Sequence, residues 1–532
     1  MTRSRRMTRR EALLWCAAAC VPVIVGLARF DGPALSEDSY QYLSAAENLV
    51  GGKGLKTSIL HYDLDRSRGV LPAPFSHWPP GYPIAIAGLH VLGLPADAAA
   101  ALVSGAAFVI LVPLLIAAAR SLDLRPWPTR LLLIWLLTNS WSFRFPSAGT
   151  SESLFTALAS AGVMLLIPAP VSGRAAVRSW RLIAPGVLIG LASWVRFAGA
   201  IVAIAVAVPL GALWLARRDR RSLQLFVFAV GPAAVLIALN ALRTFWISGS
   251  WWAGHDSQAL RGVTALARPF AASIHHLFLG DAVASRLGPA EGLLTLSAIS
   301  IVGAAVWAKR RSPSAPVGLA RGPIVVLVAT IAVYCAGMIG VARSSTITFD
   351  ARMFYPILPL ALLGFAALTG GIANQVAGVG FGRMLIVGAL FVATMCYVTI
   401  NLRSILATTA LPPHVVVARR LAGPLRDWIT TNIPPGAPLV ASDGQPTGYV
   451  LRRPTVSLAY SAFSNTVWSE EVVRDTMTTF GAQFLVLYAT DDSAQDPVQR
   501  ESRFLSAVLQ GSVPAWLELA AENKETRVFR RR

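Results

Sequence analysis

Residues 98–119 read AAAALVSGAAFVILVPLLIAAA, a run of 22 apolar or small residues without a charge. About 20 such residues are enough to cross the roughly 30 Å hydrocarbon layer of a bilayer as an α-helix. Similar runs occur at residues 223–242 and 324–341, and all three are continuous rather than alternating, which favours helices over a closed barrel. The sequence therefore predicts a multi-pass α-helical membrane protein.

The composition of the whole chain agrees with a location in the bilayer. Only 14% of the residues are charged, whereas a soluble domain has about a quarter. The net charge is +20, yet the part from Asn401 onward has 14 Lys and Arg against 12 Asp and Glu. The excess lies in short clusters, which are residues 3–10, 174–181, 217–221 and 309–311. Such clusters mark cytoplasmic loops, so the charge indicates topology and does not predict a nucleic-acid partner.

The N-terminal region resembles a signal peptide, with basic residues followed by an apolar stretch over residues 12–28. No small-residue cleavage site follows it, so we expect a retained first helix whose N-terminus is cytoplasmic. The loop at residues 30–81 is then external. The four cysteines lie in apolar segments and predict no disulfide framework; they are Cys16, Cys20, Cys335 and Cys396.

The number of crossings between residues 82 and 119 is ambiguous. The length of this segment favours two transmembrane helices, whereas the basic residues that flank it favour one. The other apolar segments are residues 131–145, 154–168, 182–215 (two crossings that meet near Arg196), 223–247, 292–308, 323–341, 353–368 and 384–400. Because the basic loops require an odd number of crossings, the C-terminal region is expected outside. The prediction is about 11 to 13 transmembrane helices in a domain of residues 1–401.

Residues 402–532 have the composition of a soluble domain. We expect helices at residues 415–432, 469–479 and 498–509, strands at 438–442, 448–458 and 483–488, and a hairpin at 516–529. This alternation is typical of a small α/β domain. The domain shows no phosphate-binding loop or nucleophile elbow, so a structural cap and an acceptor-docking role both stay open.

A second polar segment, residues 248–291, contains Trp251 and Trp252 as well as His275 and His276. Trp pairs at helix ends usually belong to the interfacial aromatic belt. Adjacent histidines on a helix point to different faces, so their spacing does not predict a metal site.

Within the first loop, Glu37 and Asp38 precede a stretch of helical character that contains Tyr40. A carboxylate at the level where lipid headgroups meet water is partly desolvated, which strengthens it as a proton acceptor. An acid at the start of a helix can instead be its N-cap. The residues alone leave both interpretations open.

Further charges interrupt apolar segments later in the chain. Glu152 starts a helix, where an acid is favoured by the helix dipole, and Arg196 divides a long apolar run. A charge in such a run usually has a partner or a function, although snorkelling is the alternative. Asp350, Arg352 and Tyr355 begin another apolar helix. The arginine there suits a phosphate, or forms an interfacial ion pair.

Five short motifs together resemble a known pattern. They are EDSYQYLSAAENLVGGKGL (37–55), WPPGYPIAIAGLHVLGL (78–94), SAGTSESLF (147–155), GLASWVRFAGA (190–200) and DARMFYPILPL (350–360). In this order the chain resembles GT-C superfamily glycosyltransferases, of the kind related to protein O-mannosyltransferases and lipid A aminoarabinose transferases (glycosyltransferase family 39-type). The resemblance covers most of the membrane region and only loosely the C-terminal domain.

The resemblance implies inverting transfer of a sugar from a polyprenyl-phosphate donor to an acceptor hydroxyl on protein, lipid or glycan, at the outer face of the inner membrane. Asp38 would be the base, with Glu37 as a rival, and Glu152 the second acid. Arg352, with Arg196 or His77, would neutralise the departing phosphate, and Tyr40, Asp350 and Tyr355 are further substrate-binding candidates. No cofactor is expected. A divalent metal is possible but not favoured, because few carboxylates are spare.

Two other classes of function fit many helices with a few charges. A transporter or flippase of a lipid-linked or anionic substrate tends to have inverted repeats, and no internal repeat is visible here. A structural or assembly protein is the second alternative, but that role gives the grouped acids and arginines no function. The sequence names neither the sugar nor the acceptor.

Overall fold

The computed structural model describes residues 7–29, 32–61, 67, 69–167, 179–251, 260–286, 321–344, 349–375, 380–407, 411–458, 466–489 and 502–532. The membrane region begins with the helices α1 (Arg9–Arg29), α2 (Glu37–Val50), α3 (Gly81–His90), α4 (Ala96–Ser121), α5 (Pro126–Thr138), α6 (Ser140–Ser147), α7 (Glu152–Leu166) and α8 (Ser179–Val195). They continue with α9 (Gly199–Arg217), α10 (Arg220–Ser248), α11 (Val263–Leu279), α12 (Asp281–Ala284), α13 (Arg321–Arg343), α14 (Ala351–Phe354), a 3-10 turn (Tyr355–Ile357), α15 (Leu358–Gln375) and α16 (Gly380–Ala407).

Six helices of the described part are long and apolar enough to cross a membrane, and three shorter apolar helices accompany them. The six lie within α1, α4, α9, α10, α13 and α16. Large apolar side chains on their outer faces are exposed, for example Leu13 at 70% and Ile110 at 54%. Exposed apolar side chains on this scale suit contact with lipid rather than water. The predicted multi-pass helical fold is confirmed.

The structure settles several segment boundaries. Helix α3 has 10 residues, about 15 Å of helix, which is too short to cross. Residues 82–119 therefore contain one crossing, α4. The single segment predicted at residues 131–145 is wrong, because the side chain of Asn139 accepts a hydrogen bond from Trp141 N and starts a new helix, α6. The predicted break near Arg196 is confirmed between α8 and α9.

Part of the second polar segment is helical rather than open loop. Residues 263–279 form α11, which contains both His275 and His276. The apolar segment predicted at residues 292–308 lies outside the described residues.

Close packing of small residues joins α8 to its neighbours. A Cβ on Gly186 would lie 2.5 Å from the carbonyl oxygen of Ala229 in α10. Small residues let helix backbones approach closely in a membrane, where no hydrophobic force between helices is available. Gly81 does the same for α3, since a Cβ there would lie 2.7 Å from the oxygen of Trp194. The Trp78–Pro83 segment is thereby fixed against the end of α8.

The C-terminal domain contains α17 (Pro413–Arg420), α18 (Pro424–Asn432), α19 (Gly444–Leu451), α20 (Glu470–Thr479) and α21 (Arg503–Leu509). The prediction of a single helix over residues 415–432 is wrong, because Gly423 (φ +74°) separates α17 from α18. The strand predicted at 448–458 is also largely wrong, since its first residues belong to α19. The helix at 469–479 is confirmed, and Ser469 caps it by accepting from Val472 N.

The chain's short strands are β1 (Lys56–Thr57), β2 (Ile59–Leu60), β3 (Ala73–Pro74), β4 (Leu439–Ala441), β5 (Thr455–Ser457), β6 (Phe484–Tyr488), β7 (Leu517–Glu522) and β8 (Thr526–Arg531). A six-stranded sheet has the order β2-β5-β4-β6-β8-β7. Its edge strand β2 comes from the first loop and pairs in parallel with β5. The first loop and the C-terminal domain therefore lie on the same side of the helices. The predicted boundary at residue 401 stays a prediction.

Candidate active site

Asp38 lies in the first turn of α2 and is not its cap. Ser36 occupies the N-cap position, and its backbone N–H donates to Ser39 Oγ at 3.0 Å. The Asp38 side chain is only 7% exposed, and Arg352 Nη1 lies 3.2 Å from its Oδ2. Glu37, one residue earlier, is exposed. The two neighbouring acids thus occupy different environments, since Asp38 is buried beside a partly exposed arginine and Glu37 is exposed.

Arg352 is shared between two carboxylates. Its Nε lies 3.1 Å from Asp350 Oδ2, and Asp350 also caps α14 by accepting from Arg352 N at 3.0 Å. The Arg352 side chain is 38% exposed. A planar group with several N–H donors can serve two carboxylates and still face an open side. The ion pair that the sequence offered as one interpretation of this helix start is therefore present, and the structure adds that Asp350 caps the helix.

Glu152 and Arg196 form a second pair at 2.7 Å. Glu152 is 2% exposed at the start of α7, and Arg196 occupies the break between α8 and α9. Arg196 Nη1 also donates to Ser151 Oγ at 3.1 Å. With 16% of its side chain exposed, Arg196 is paired in the interior and does not snorkel. Burial of both ions requires this pairing, because an unpaired charge there is costly.

Tyr42 joins the two pairs. It follows Asp38 by one helical turn, and its hydroxyl lies 3.2 Å from Ser151 Oγ. Burial, followed by the charge of Asp38, raises the pKa of Tyr42, so its phenol stays protonated. Its hydroxyl also interacts electrostatically with Arg196 and Glu152. Asp38, Glu152, Arg196, Asp350 and Arg352 thus belong to one cluster, which we call the carboxylate–arginine cluster.

The other predicted residues lie elsewhere. Tyr40 is fully buried against the C-terminal domain, where its hydroxyl accepts from the backbone N of His414 at 3.0 Å. Tyr355 packs its ring against Phe145, with 4.8 Å between centroids. Tyr355 also interacts electrostatically with Glu152 and so borders the carboxylate–arginine cluster, whereas Tyr40 faces the C-terminal domain.

His77 lies in the first loop beside its neighbour Trp78, with the two ring centroids 4.7 Å apart. It is close enough to His61 to act on its charge. Burial first, and His77 second, lower the pKa of His61 to about 3. His77 is thus tied to the contact between the first loop and the C-terminal sheet, where His61 Nδ1 lies 2.9 Å from Ser457 Oγ.

Tyr42 and Ser151 are members of the site that the sequence predictions missed. The signal for Tyr42 was available, because Asp38 and Tyr42 are four residues apart and share a helix face. Ser151 has a weaker signal, as the residue before Glu152. His414 and Tyr449 contact Tyr40, and the sequence held no signal for either contact. His414 is more than 370 residues from Tyr40 in sequence, and Tyr449 belongs to a segment that was predicted as a strand.

Within the described ranges, no three His, Cys, Asp or Glu side chains lie close enough together to hold a metal ion. Arginines occupy the positions next to Asp38 and Glu152. The donors expected for Mg²⁺ or Mn²⁺ are several oxygen ligands, and here the carboxylate oxygens already face guanidinium groups. Metal-independent chemistry stays a prediction.

Known structures resemble this fold. ArnT from Cupriavidus metallidurans, solved with undecaprenyl phosphate, has a TM-score of 0.56 at 14% identity over 97% of both chains. Mycobacterial arabinofuranosyltransferase AftD gives 0.57 at 14% identity over 99% of this chain and 42% of its own. Oligosaccharyltransferase AglB from Archaeoglobus fulgidus, in complex with an inhibitory peptide and a dolichol-phosphate, gives 0.53 at 11% identity over 90% and 70%.

All three are GT-C superfamily glycosyltransferases. No protein-family model and no curated protein matches the sequence. At identities this low, the likeness shows the fold alone. The chain has a GT-C fold with a C-terminal α/β domain, as the resemblance predicted.

Proposed function

We propose that this chain is a membrane glycosyltransferase that moves a sugar from a polyprenyl-phosphate donor to an acceptor hydroxyl. The observation that carries the proposal is the buried Asp38 with Arg352 at 3.2 Å. A buried carboxylate is a candidate base, and a partly exposed arginine beside it can receive a phosphate. The structures of ArnT bound to undecaprenyl phosphate and of AglB in complex with a dolichol-phosphate support this class of donor.

The proposed reaction is a single displacement. The acceptor oxygen forms a bond to the anomeric carbon while Asp38 takes the hydroxyl proton. The bond from that carbon to the phosphate oxygen breaks, and its electron pair leaves with the phosphate. Arg352 neutralises the developing charge, as positioned cations do in other transfers. Attack opposite the leaving group inverts the anomeric configuration.

Glu152 and Arg196 act on the same centre. Their pair lies against Ser151 and Tyr42, which link it to the helix that holds Asp38. We assign to Glu152 the orientation of the acceptor, with Arg196 keeping it ionised, and to Arg196 a second positive charge for the phosphate. Tyr42, protonated because of its burial, is a hydrogen-bond donor between the two pairs.

We place the reaction on the extracytoplasmic face of the cytoplasmic membrane, with the N-terminus inside. The basic residues before α1 support this orientation. Because the first loop and the C-terminal domain share a sheet, this proposed orientation has both of them outside. A cysteine introduced at exposed Lys53 is expected to react with an impermeant maleimide in intact cells. Labelling only after lysis would reverse the orientation.

The test of the function is a transfer assay in membranes with labelled polyprenyl-phosphate sugars. Asp38→Asn is expected to reduce transfer about 10²- to 10⁴-fold, since it removes the general base. The matched control is Glu37→Gln, which neutralises the exposed neighbour and is expected to transfer near the wild-type rate. Full activity of Asp38→Asn would remove Asp38 as the base, and no transfer from any donor would favour a transporter.

The same assay tests metal dependence. Transfer is expected to continue after EDTA treatment, because Arg352 and Arg196 supply the positive charge near the phosphate. Loss of transfer that Mg²⁺ or Mn²⁺ restores would overturn the metal-independent mechanism.

A further inference from the structure

A cavity of about 450 Å³ lies in the C-terminal domain between α17, the start of α18 and α19. Its polar lining consists of His414, Arg419, Arg426, Tyr449 and Arg452, and the remainder is small or aliphatic. Its volume is within the range of small-molecule sites, and it opens widely to solvent. We call it the arginine pocket.

The arginine pocket lies near the membrane surface. The Tyr449 hydroxyl donates to Asp97 Oδ2 at 3.0 Å, and Asp97 is in the first turn of the spanning helix α4. The span in α16 ends at Ala407, seven residues before His414, so the connecting chain is at most about 25 Å long. A ligand carried at the membrane surface can therefore reach the pocket.

The charges of the pocket are only partly balanced. Arg452 pairs with Glu47 at 2.5 Å and lies over the Tyr449 ring, 4.8 Å from its centroid. Arg419 and Arg426 are exposed and pair with no carboxylate among the described residues. Burial lowers the pKa of His414 despite the opposing charge of Asp97, so its imidazole is neutral near pH 7. Two guanidinium groups without a carboxylate partner in the described part of the chain remain, together with neutral hydrogen-bonding groups.

The arginine pocket is separate from the carboxylate–arginine cluster. His414 contacts Tyr40 on α2, and Asp38 is two residues earlier on the same helix. Side chains two residues apart on a helix point about 200° from one another. The pocket and Asp38 therefore lie on opposite faces of α2.

We propose that the arginine pocket binds a phosphomonoester. A dianionic phosphate matches the two positive charges of Arg419 and Arg426, which pair with no described carboxylate, and arginine's forked donors bind phosphate oxygens in pairs. The phosphate can be a lipid headgroup at the membrane surface or a free phosphate. The inference goes beyond sugar transfer and does not depend on it.

The experiment uses the full chain in phosphatidylcholine nanodiscs and isothermal titration calorimetry. Two probes are titrated separately: dihexanoyl phosphatidic acid, which is water-soluble, and inorganic phosphate. The double variant Arg419→Gln/Arg426→Gln removes the two free charges. The matched control Arg474→Gln/Arg503→Gln removes two exposed arginines of the same domain outside the pocket, so both variants have the same net charge.

Phosphatidic acid is expected to bind the wild type and the control, with affinity about tenfold or more weaker in the pocket variant. Equal binding by pocket variant and control, or no binding of either probe to the wild type, would overturn the proposal. Binding of phosphatidic acid without binding of inorganic phosphate assigns a lipid source, and equal affinity for both assigns a free phosphate. Should the double variant fail to fold, the single variants give the same comparison.

Discussion

Helix α2 has two faces that differ in how they are stabilised. On one face, Asp38 and Tyr42 meet charged partners, with Arg352 at 3.2 Å from Asp38. On the other, Tyr40 makes neutral contacts, a hydrogen bond from His414 and a tilted ring contact with Tyr449 at 5.4 Å between centroids. One short helix thus joins a charged interior site to the C-terminal domain.

The difference follows from what burial costs. A buried charge is tolerated only with a partner, so the charged face depends on each member of its pairs. Removing one hydrogen bond from a buried phenol lowers the free energy of unfolding far less than removing the partner of a buried charge. Substitutions on the charged face should therefore have larger effects than those on the neutral face.

The largest expected effect is on the Glu152–Arg196 pair. Glu152→Gln leaves the buried Arg196 without its carboxylate, so the free energy of unfolding should fall by about 3–5 kcal/mol. The measurement is unfolding of purified protein by denaturing detergent, followed by circular dichroism. The double variant Glu152→Gln/Arg196→Gln removes both charges and should recover part of the loss. Wild-type stability of Glu152→Gln would show that the pair is not a structural requirement.

A pH change tests a second neutral contact, the one that buried His61 makes beside the pairing of β2 with β5. The pKa of His61 is lowered to about 3 in the folded state, against about 6.5 when unfolded. Between these pH values the unfolded chain binds one more proton than the folded chain. The contribution of His61 to the free energy of unfolding is therefore fully present above pH 6.5 and is lost as the pH falls toward 3. The loss should be about 2 kcal/mol at pH 5.

The measurement for His61 is the same unfolding transition at pH 7 and pH 5. His61→Gln cannot titrate, so its stability should change less than the wild type's between these two pH values. An identical pH dependence in both proteins would contradict the assignment.

The two tyrosines of α2 give a smaller effect and the most direct comparison. Tyr40→Phe removes the acceptor for His414 N and should cost about 1 kcal/mol. Hydrogen exchange should therefore accelerate in α17, at the base of the C-terminal domain. Tyr42→Phe is the matched change on the charged face and should leave α17 exchange unchanged while lowering sugar transfer. Equal exchange in both variants would mean that the faces are not independent.

The smallest effect is expected at the exposed pair Arg452–Glu47, whose side chains are 60% and 38% exposed. Exposed ion pairs contribute little, so Glu47→Gln should change the free energy of unfolding by less than about 0.5 kcal/mol. Unfolding at low and high salt checks this. A loss as large as that of Tyr40→Phe would show that the pair fastens the C-terminal domain to α2.

Much of the site was predictable because its signals are local. Arg196 and Glu152 stood out as charges at the edges of apolar runs, and Asp38 as an acid in a loop that follows a crossing. Other features had no local signal. Strand β2 has two residues, too few for any periodicity, and its pairing with β5 joins residues almost 400 positions apart. The helix break at Gly423, by contrast, had a local signal that the prediction of one helix overlooked, because Pro424 follows the glycine and Gly-Pro pairs mark turns.

The sequence by itself determined that the chain crosses a membrane many times and which charges lie at the ends of the crossings. Apolar length and charge placement are properties of short segments, so they need no knowledge of contacts. Only the tertiary structure decided that Arg352 pairs with Asp38, 314 residues away, and that Tyr40 turns to the C-terminal domain. Which partner a buried group finds depends on how the helices pack, and packing brings together residues that no segment contains.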